Sequence, residues 1–135
     1  MEALFFRCLR EQAVGVASSD DLPTEPVADA LRIEDPSPLA GLARLLEVDR
    51  HPRPLRDATC RSFPVWDLGR DLGLRIAGLD DDEIDDLAEA WQKHDETSLD
   101  ADLYELAECL GDLREAVRAG EARESLFVLL EERAW

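Results

Sequence analysis

The longest periodic run in the chain is a seam of apolar residues at Leu99, Leu103, Leu106, Leu110, Leu113 and Val117, spaced 4, 3, 4, 3 and 4 apart. That interval returns a side chain to the same flank of an α-helix. It predicts one long helix, capped by Thr97 or Ser98 and closed at Gly120, whose apolar flank other helices of the same domain must cover. Composition points the same way. The chain has 22 Leu and 17 Ala against 7 Val, 3 Ile and 3 Thr, and unbranched apolar residues lose less entropy in helices than β-branched ones do. The expected fold is therefore mainly α: a compact single-domain helical bundle over residues 1–135, with about five or six helices and at most a minor pair of terminal β-strands.

Local signals divide the chain further. Residues 1–19 read equally as one helical face (Leu4, Phe5, Cys8, Leu9, Ala13) or as two short strands, Leu4–Leu9 and Val14–Ala17. Thr24-Glu25-Pro26 predicts a short helix to about Arg32. Ser37 and Pro38 start another, with Leu39, Leu42, Ala43 and Leu46 inward. Asp49–Thr59, with Pro52 and Pro54, is a loop. A helix from Pro64 to Ala77 contains the tandem Asp67-Leu68-Gly69-Arg70 and Asp71-Leu72-Gly73-Leu74, whose glycines point to close packing inside the domain. Asp80 and Glu83 form a capping box, with Leu79 and Ile84 as its hydrophobic staple. The helix they open buries Ile84, Leu87, Ala88 and Trp91 and ends near His94. The last segment, Ala122–Trp135, reads as a helix antiparallel to the seam helix, the alternative being a strand paired with residues 3–9.

Charge is distributed unevenly. The chain carries 32 acidic and 15 basic residues, a formal net charge of −17. Residues 1–75 hold 13 acids and 10 bases, whereas residues 76–135 hold 19 acids and 5 bases. Within Asp80–Asp112 only Lys93 opposes 14 carboxylates. Helical spacing places Asp82, Asp85, Asp86 and Glu89 away from the Ile84–Trp91 face. It places Glu105, Glu108, Asp112 and Glu115 opposite the leucine seam, with Tyr104 beside them. Like charges three or four residues apart destabilise a helix by about 0.2–0.5 kcal/mol per pair. General solubility or adaptation to high salt would explain an acidic surface, but neither explains its confinement to one half of the chain. A face for a basic protein partner does. Arg50, His51, Arg53, Arg56 and Arg61 form the positive counterweight and are expected to pair with the acidic helices.

The same residues exclude several function classes. An acidic chain does not bind nucleic acid directly, and no uncharged stretch is long enough to span a membrane. Apolar residues at 45% are too many for a disordered chain. Cys8, Cys60 and Cys109 form no C-x-x-C pair and read as reduced cysteines of a cytoplasmic protein. No metal-ligand spacing, phosphate loop, dinucleotide fingerprint or nucleophile elbow is present, so no cofactor, metal or catalytic residue is assigned. His94-Asp95-Glu96 is expected to be solvated, with His94 complementing the helix end. The expected function is a non-enzymatic acidic interaction domain. Its most concrete form is a bacterial immunity or antitoxin-like inhibitor that holds a basic toxin or nuclease through Asp82, Asp85, Asp86, Glu89, Tyr104, Glu105, Glu108, Asp112 and Glu115. The alternatives are a nucleic-acid mimic that occupies a DNA- or RNA-binding protein, and a structural subunit, for instance a homodimer, assembled through the seam.

Overall fold

Among the described residues six strands, every neighbouring pair antiparallel, form one curled sheet in the order β3-β4-β6-β1-β2-β5. The computed structural model describes residues 2–16, 18–23, 25–49, 52–55, 64–95, 99–120 and 123–131. Along the chain run β1 (Glu2–Cys8), α1 (Arg10–Val14), a 3-10 turn (Ser19–Asp21), β2 (Ala28–Ile33), α2 (Ser37–Leu45), β3 (Arg53–Pro54) and β4 (Val65–Asp67). There follow α3 (Arg70–Ala77), α4 (Asp81–His94), β5 (Leu99–Asp100), α5 (Leu103–Ala119) and β6 (Ser125–Glu131). The protein is α+β. The expectation of a mainly helical bundle with minor strands is wrong.

The reason lies in β1 and β6. They pair in unbroken register from Glu2 opposite Glu131 to Cys8 opposite Ser125. Both faces of this ribbon are covered. Ala3, Phe5, Leu126, Val128 and Leu130 join the larger core, which also holds the inward faces of α2, α3, α4 and α5. Leu4, Phe6, Cys8, Phe127 and Leu129 join a second core with Ala13, Val16 and Val65. Phe6 and Phe127 stack there with ring centroids 5.7 Å apart. A strand buried on both faces has no polar alternation, so by periodicity it cannot be told from a buried helix segment. Each large apolar side chain buried this way contributes about 1.5–3 kcal/mol.

Other boundaries move for local reasons. The segment expected to be a helix from Thr24 to Arg32 contributes β2, which pairs with β1. Ala122–Trp135 contributes β6, the strand alternative. The first residues follow the strand reading as far as Cys8 and then turn into the five-residue α1. Val65–Asp67 is a strand, so the helix expected from Pro64 begins only at Arg70. Gly69 breaks the run with φ +82, a conformation that favours glycine, and its N–H donates to Asp67 Oδ1 at 2.8 Å. A Cβ on Gly73 would meet the side chains of Val117 and Leu126 only at ordinary contact distance, and one on Gly69 would meet nothing within 4 Å, so neither glycine of the tandem is there for the close packing expected of it. The long helix starts at Leu103, where Asp102 accepts the Glu105 N–H at 2.8 Å. Leu99 lies instead in edge strand β5, and Thr97 and Ser98 lie outside the described residues. Helix α2 begins at Ser37 itself, whose N–H donates to Asp35 Oδ1.

Candidate protein-interaction face

The α4 capping box forms as its sequence requires. Asp80 Oδ1 accepts the Glu83 N–H at 2.8 Å, and Glu83 Oε1 accepts the Asp80 N–H at 3.1 Å. Ile84, Leu87, Ala88 and Trp91 are buried. Trp91 locks the inner face to α2 by donating its indole N–H to Pro38 O at 2.9 Å. With that face fixed, Asp82, Asp85, Asp86 and Glu89 all stand exposed.

Helix α5 runs antiparallel beside α4. Near its C-terminal end, Arg114 donates to Leu79 O and Arg118 donates to Ala77 O and Leu79 O. Near its N-terminal end, Gln92 of α4 donates to Ala101 O at 3.1 Å. Leu106, Cys109, Leu110 and Leu113 point into the core, so Tyr104, Glu105, Glu108, Asp112 and Glu115 are exposed. All nine residues singled out from the sequence thus lie at the solvent surface of two adjacent helices.

Their electrostatic states differ. Glu89 pairs with Lys93 at 2.9 Å, one helical turn away. Glu115 is approached by Arg114 at 3.3 Å and Arg118 at 3.7 Å, and Asp112 also takes part in an interaction. Arg114 reaches across to Asp81 at 2.8 Å, a hydrogen bond that holds its guanidinium above an already high ordinary value. Asp82, Asp85, Asp86, Glu105 and Glu108 have no ion pair among the described residues. The basic loop does not offer them one where it is described. Arg53 is exposed in β3, at the opposite edge of the sheet from β5, while Arg50, His51, Arg56 and Arg61 lie outside the described residues.

Where β5 meets the start of α5 the surface is concave. A groove of about 690 Å³ opens there, lined among others by Glu2, Arg32, Gln92, Asp100, Asp102 and Glu105. Of these only Glu105 was singled out from sequence. Asp100 and Asp102 were visible as part of the acidic run, but their convergence with Glu2 depends on the β1-β2-β5 order, which no local signal encodes. Leu103 and Tyr104, 45% and 76% exposed, stand on the turn that carries Glu105.

The expectation that His94-Asp95-Glu96 is solvated fails at Asp95, which is 8% exposed. Its carboxylate packs against the Cα of Gly41 in α2 and lies 3.2 Å from His94 Nδ1. Glu96 lies outside the described residues. Cys8 and Cys109 are buried and form no disulfide among the described residues, and Cys60 lies outside the described residues. Burial, and secondarily Glu124, pushes the Cys8 thiol up to about 11. Among the described residues no group of three or more His, Cys, Asp or Glu is placed to hold a metal ion, and no helix is long and apolar enough to cross a membrane. No protein-family model, curated protein or solved structure matches this chain.

Proposed function

We propose that the protein is a non-enzymatic interaction domain whose α4–α5 face binds a basic protein partner. Its most concrete form is a cytoplasmic, bacterial immunity or antitoxin-like inhibitor that covers the cationic active site of a toxin or nuclease. The observation that carries this reading is the set Asp82, Asp85, Asp86, Glu105 and Glu108, five exposed carboxylates on two adjacent antiparallel helices that lack an ion pair among the described residues. Carboxylates so arranged raise the encounter rate with a cationic surface and stand where substrate phosphates would stand. The leucine seam favours binding of a different protein over self-assembly, because Leu106, Leu110 and Leu113 are fully buried in their own core.

The test is capture of partners from native lysate at low and high salt, followed by association kinetics of the captured protein with Glu105→Lys and Glu108→Lys variants. The expected result is a basic partner released by salt, with an association rate lowered by roughly tenfold or more. An unchanged rate for the charge-reversed protein refutes the reading. A captured DNA- or RNA-binding protein whose nucleic-acid groove is occupied would favour the mimic alternative.

A further inference from the structure

We propose that a cavity between α3 and the C-terminal end of α5 receives Tyr104 of a second copy of this chain, so that copies join head to tail. This goes beyond the reading above, because it requires no other protein. The cavity holds about 180 Å³. Gly73, Leu74, Val117 and Leu126 supply its apolar wall. Gly69, also on its lining, has open space where a Cβ would stand. Leu74, 58% exposed, carries the wall out to solvent. An apolar cavity of about 150 Å³ can hold a benzene ring, so this one has room for a single aromatic side chain.

Charge decides the occupant. Arg7, Arg70 and Glu124 are the charged groups on the lining. Arg7 is 8% exposed, donates to Ala116 O at 3.0 Å and lies 3.4 Å from Glu124, so these two offset each other within the chain. Arg70, exposed on the first turn of α3, has no ion pair among the described residues. The cavity therefore keeps a positive charge in a chain of net charge −17. The concavity on the other flank of Leu74 does not, since Glu47, Asp49 and Asp71 outnumber Arg75 there. An apolar cavity with a guanidinium beside it fits an apolar group set among carboxylates. This chain presents one. Among the described residues Tyr104 is the single exposed aromatic side chain, next to exposed Leu103, and its sequence neighbours Asp100, Asp102, Glu105 and Glu108 are all exposed. Tyr104 cannot fill the cavity of its own chain. It precedes Val117 by thirteen residues of one helix, about 20 Å of rise, so the ring must come from another copy. Each copy then offers a knob in one place and a hole in another, a heterologous contact that leaves the leucine seam buried.

Sedimentation equilibrium of the full chain, from about 10 µM to 1 mM at about 0.15 M salt, tests this. Salt at that level confines the repulsion between net charges to about 8 Å and leaves the local pairing. The expected result is a mass that climbs with concentration beyond that of one chain. Tyr104→Ala removes the knob and Arg70→Glu reverses the charge at the hole. Both positions are exposed, and circular dichroism checks both folds. Each variant alone should self-associate roughly tenfold more weakly or worse. An equimolar mixture should regain a pair of one copy each, because it unites an intact cavity with an intact tyrosine. A chain that stays single at every concentration overturns the inference and leaves the cavity to a small anion or a different protein. Self-association that either variant leaves unchanged overturns it too, as does a mixture that behaves like its separate components.

Discussion

Neutralising the centre of the α4 stripe should stabilise the protein. Asp85 and Asp86 are exposed and face away from the buried Ile84, Leu87 and Trp91. On the helical surface Asp85 neighbours Asp81, Asp82 and Glu89, and Asp86 neighbours Asp82, Glu83 and Glu89. Each such like-charge pair is unfavourable by about 0.2–0.5 kcal/mol, so the gross repulsion relieved by Asp85→Asn/Asp86→Asn is about 1–3 kcal/mol. Both positions lie beyond the first helical turn, where little of the dipole's favourable effect on carboxylates remains, and asparagine and aspartate have similar helix propensity. After solvent and counterion screening the net gain should be about 1–2 kcal/mol at low salt.

Urea unfolding followed by circular dichroism measures this directly. The midpoint should rise by about 0.5–1 M at low ionic strength, given the slope usual for a domain of this size. In 1 M salt, where the screening length is about 3 Å, most of the gain should vanish. A midpoint that is unchanged or lower at low salt would refute the reasoning, because it would mean that these carboxylates already have favourable partners. In that case they are not spare charge waiting for one.

Three further outcomes follow from buried groups and caps. Trp91→Phe removes the donor to Pro38 O and part of a fully buried side chain, so it should cost about 2–4 kcal/mol in urea unfolding. Asp80→Ala should cost about 1 kcal/mol and Asp80→Asn much less, since asparagine can still accept the Glu83 N–H. The Cys8 thiol is raised from the ordinary 9.0 to about 11. The unfolded chain therefore loses this proton first, and the contribution of Cys8 to stability is complete below pH 9 and is lost as pH rises toward 11. A Cys8→Ala variant should show a flatter stability profile over that window, and native Cys8 should resist alkylation at pH 8.

Legibility in the sequence followed the type of signal. Helix α4 was legible from its capping box to His94, together with its four buried residues, because caps and the 3.6-residue period act over single turns. The α5 face was legible too, although its start was not. Leu99 continues the seam's spacing but belongs to β5, and Asp102 provides the cap. The sheet was hidden for a tertiary reason. Leu126–Leu130 and Leu4–Phe6 are apolar on both sides because α1 and its neighbours cover one face while α2–α5 cover the other. Leucine, a weak strand former, dominates them, so long-range pairing overrode local propensity. The groove was hidden for the same reason, since strand order is what brings Glu2 and Glu105 to its lining.

The acidic face nevertheless survives the change of fold class. Which side of a helix points outward depends on where its apolar residues lie, and not on what they pack against. Ile84, Leu87 and Trp91 would turn Asp85 and Asp86 to solvent whether the opposing layer were helices or a sheet. What the sheet adds is rigidity and shape. Helix α5 packs along β1 and β2, and the edge strand β5 ends immediately before it, so a concave acidic site sits at the join of the two layers. A bundle of the same helices would have offered the stripes without the groove. The distinction is measurable: a partner held by stripes alone should dissociate with a strong dependence on salt. One held by further contacts outside the stripes should keep a dissociation rate that salt hardly changes.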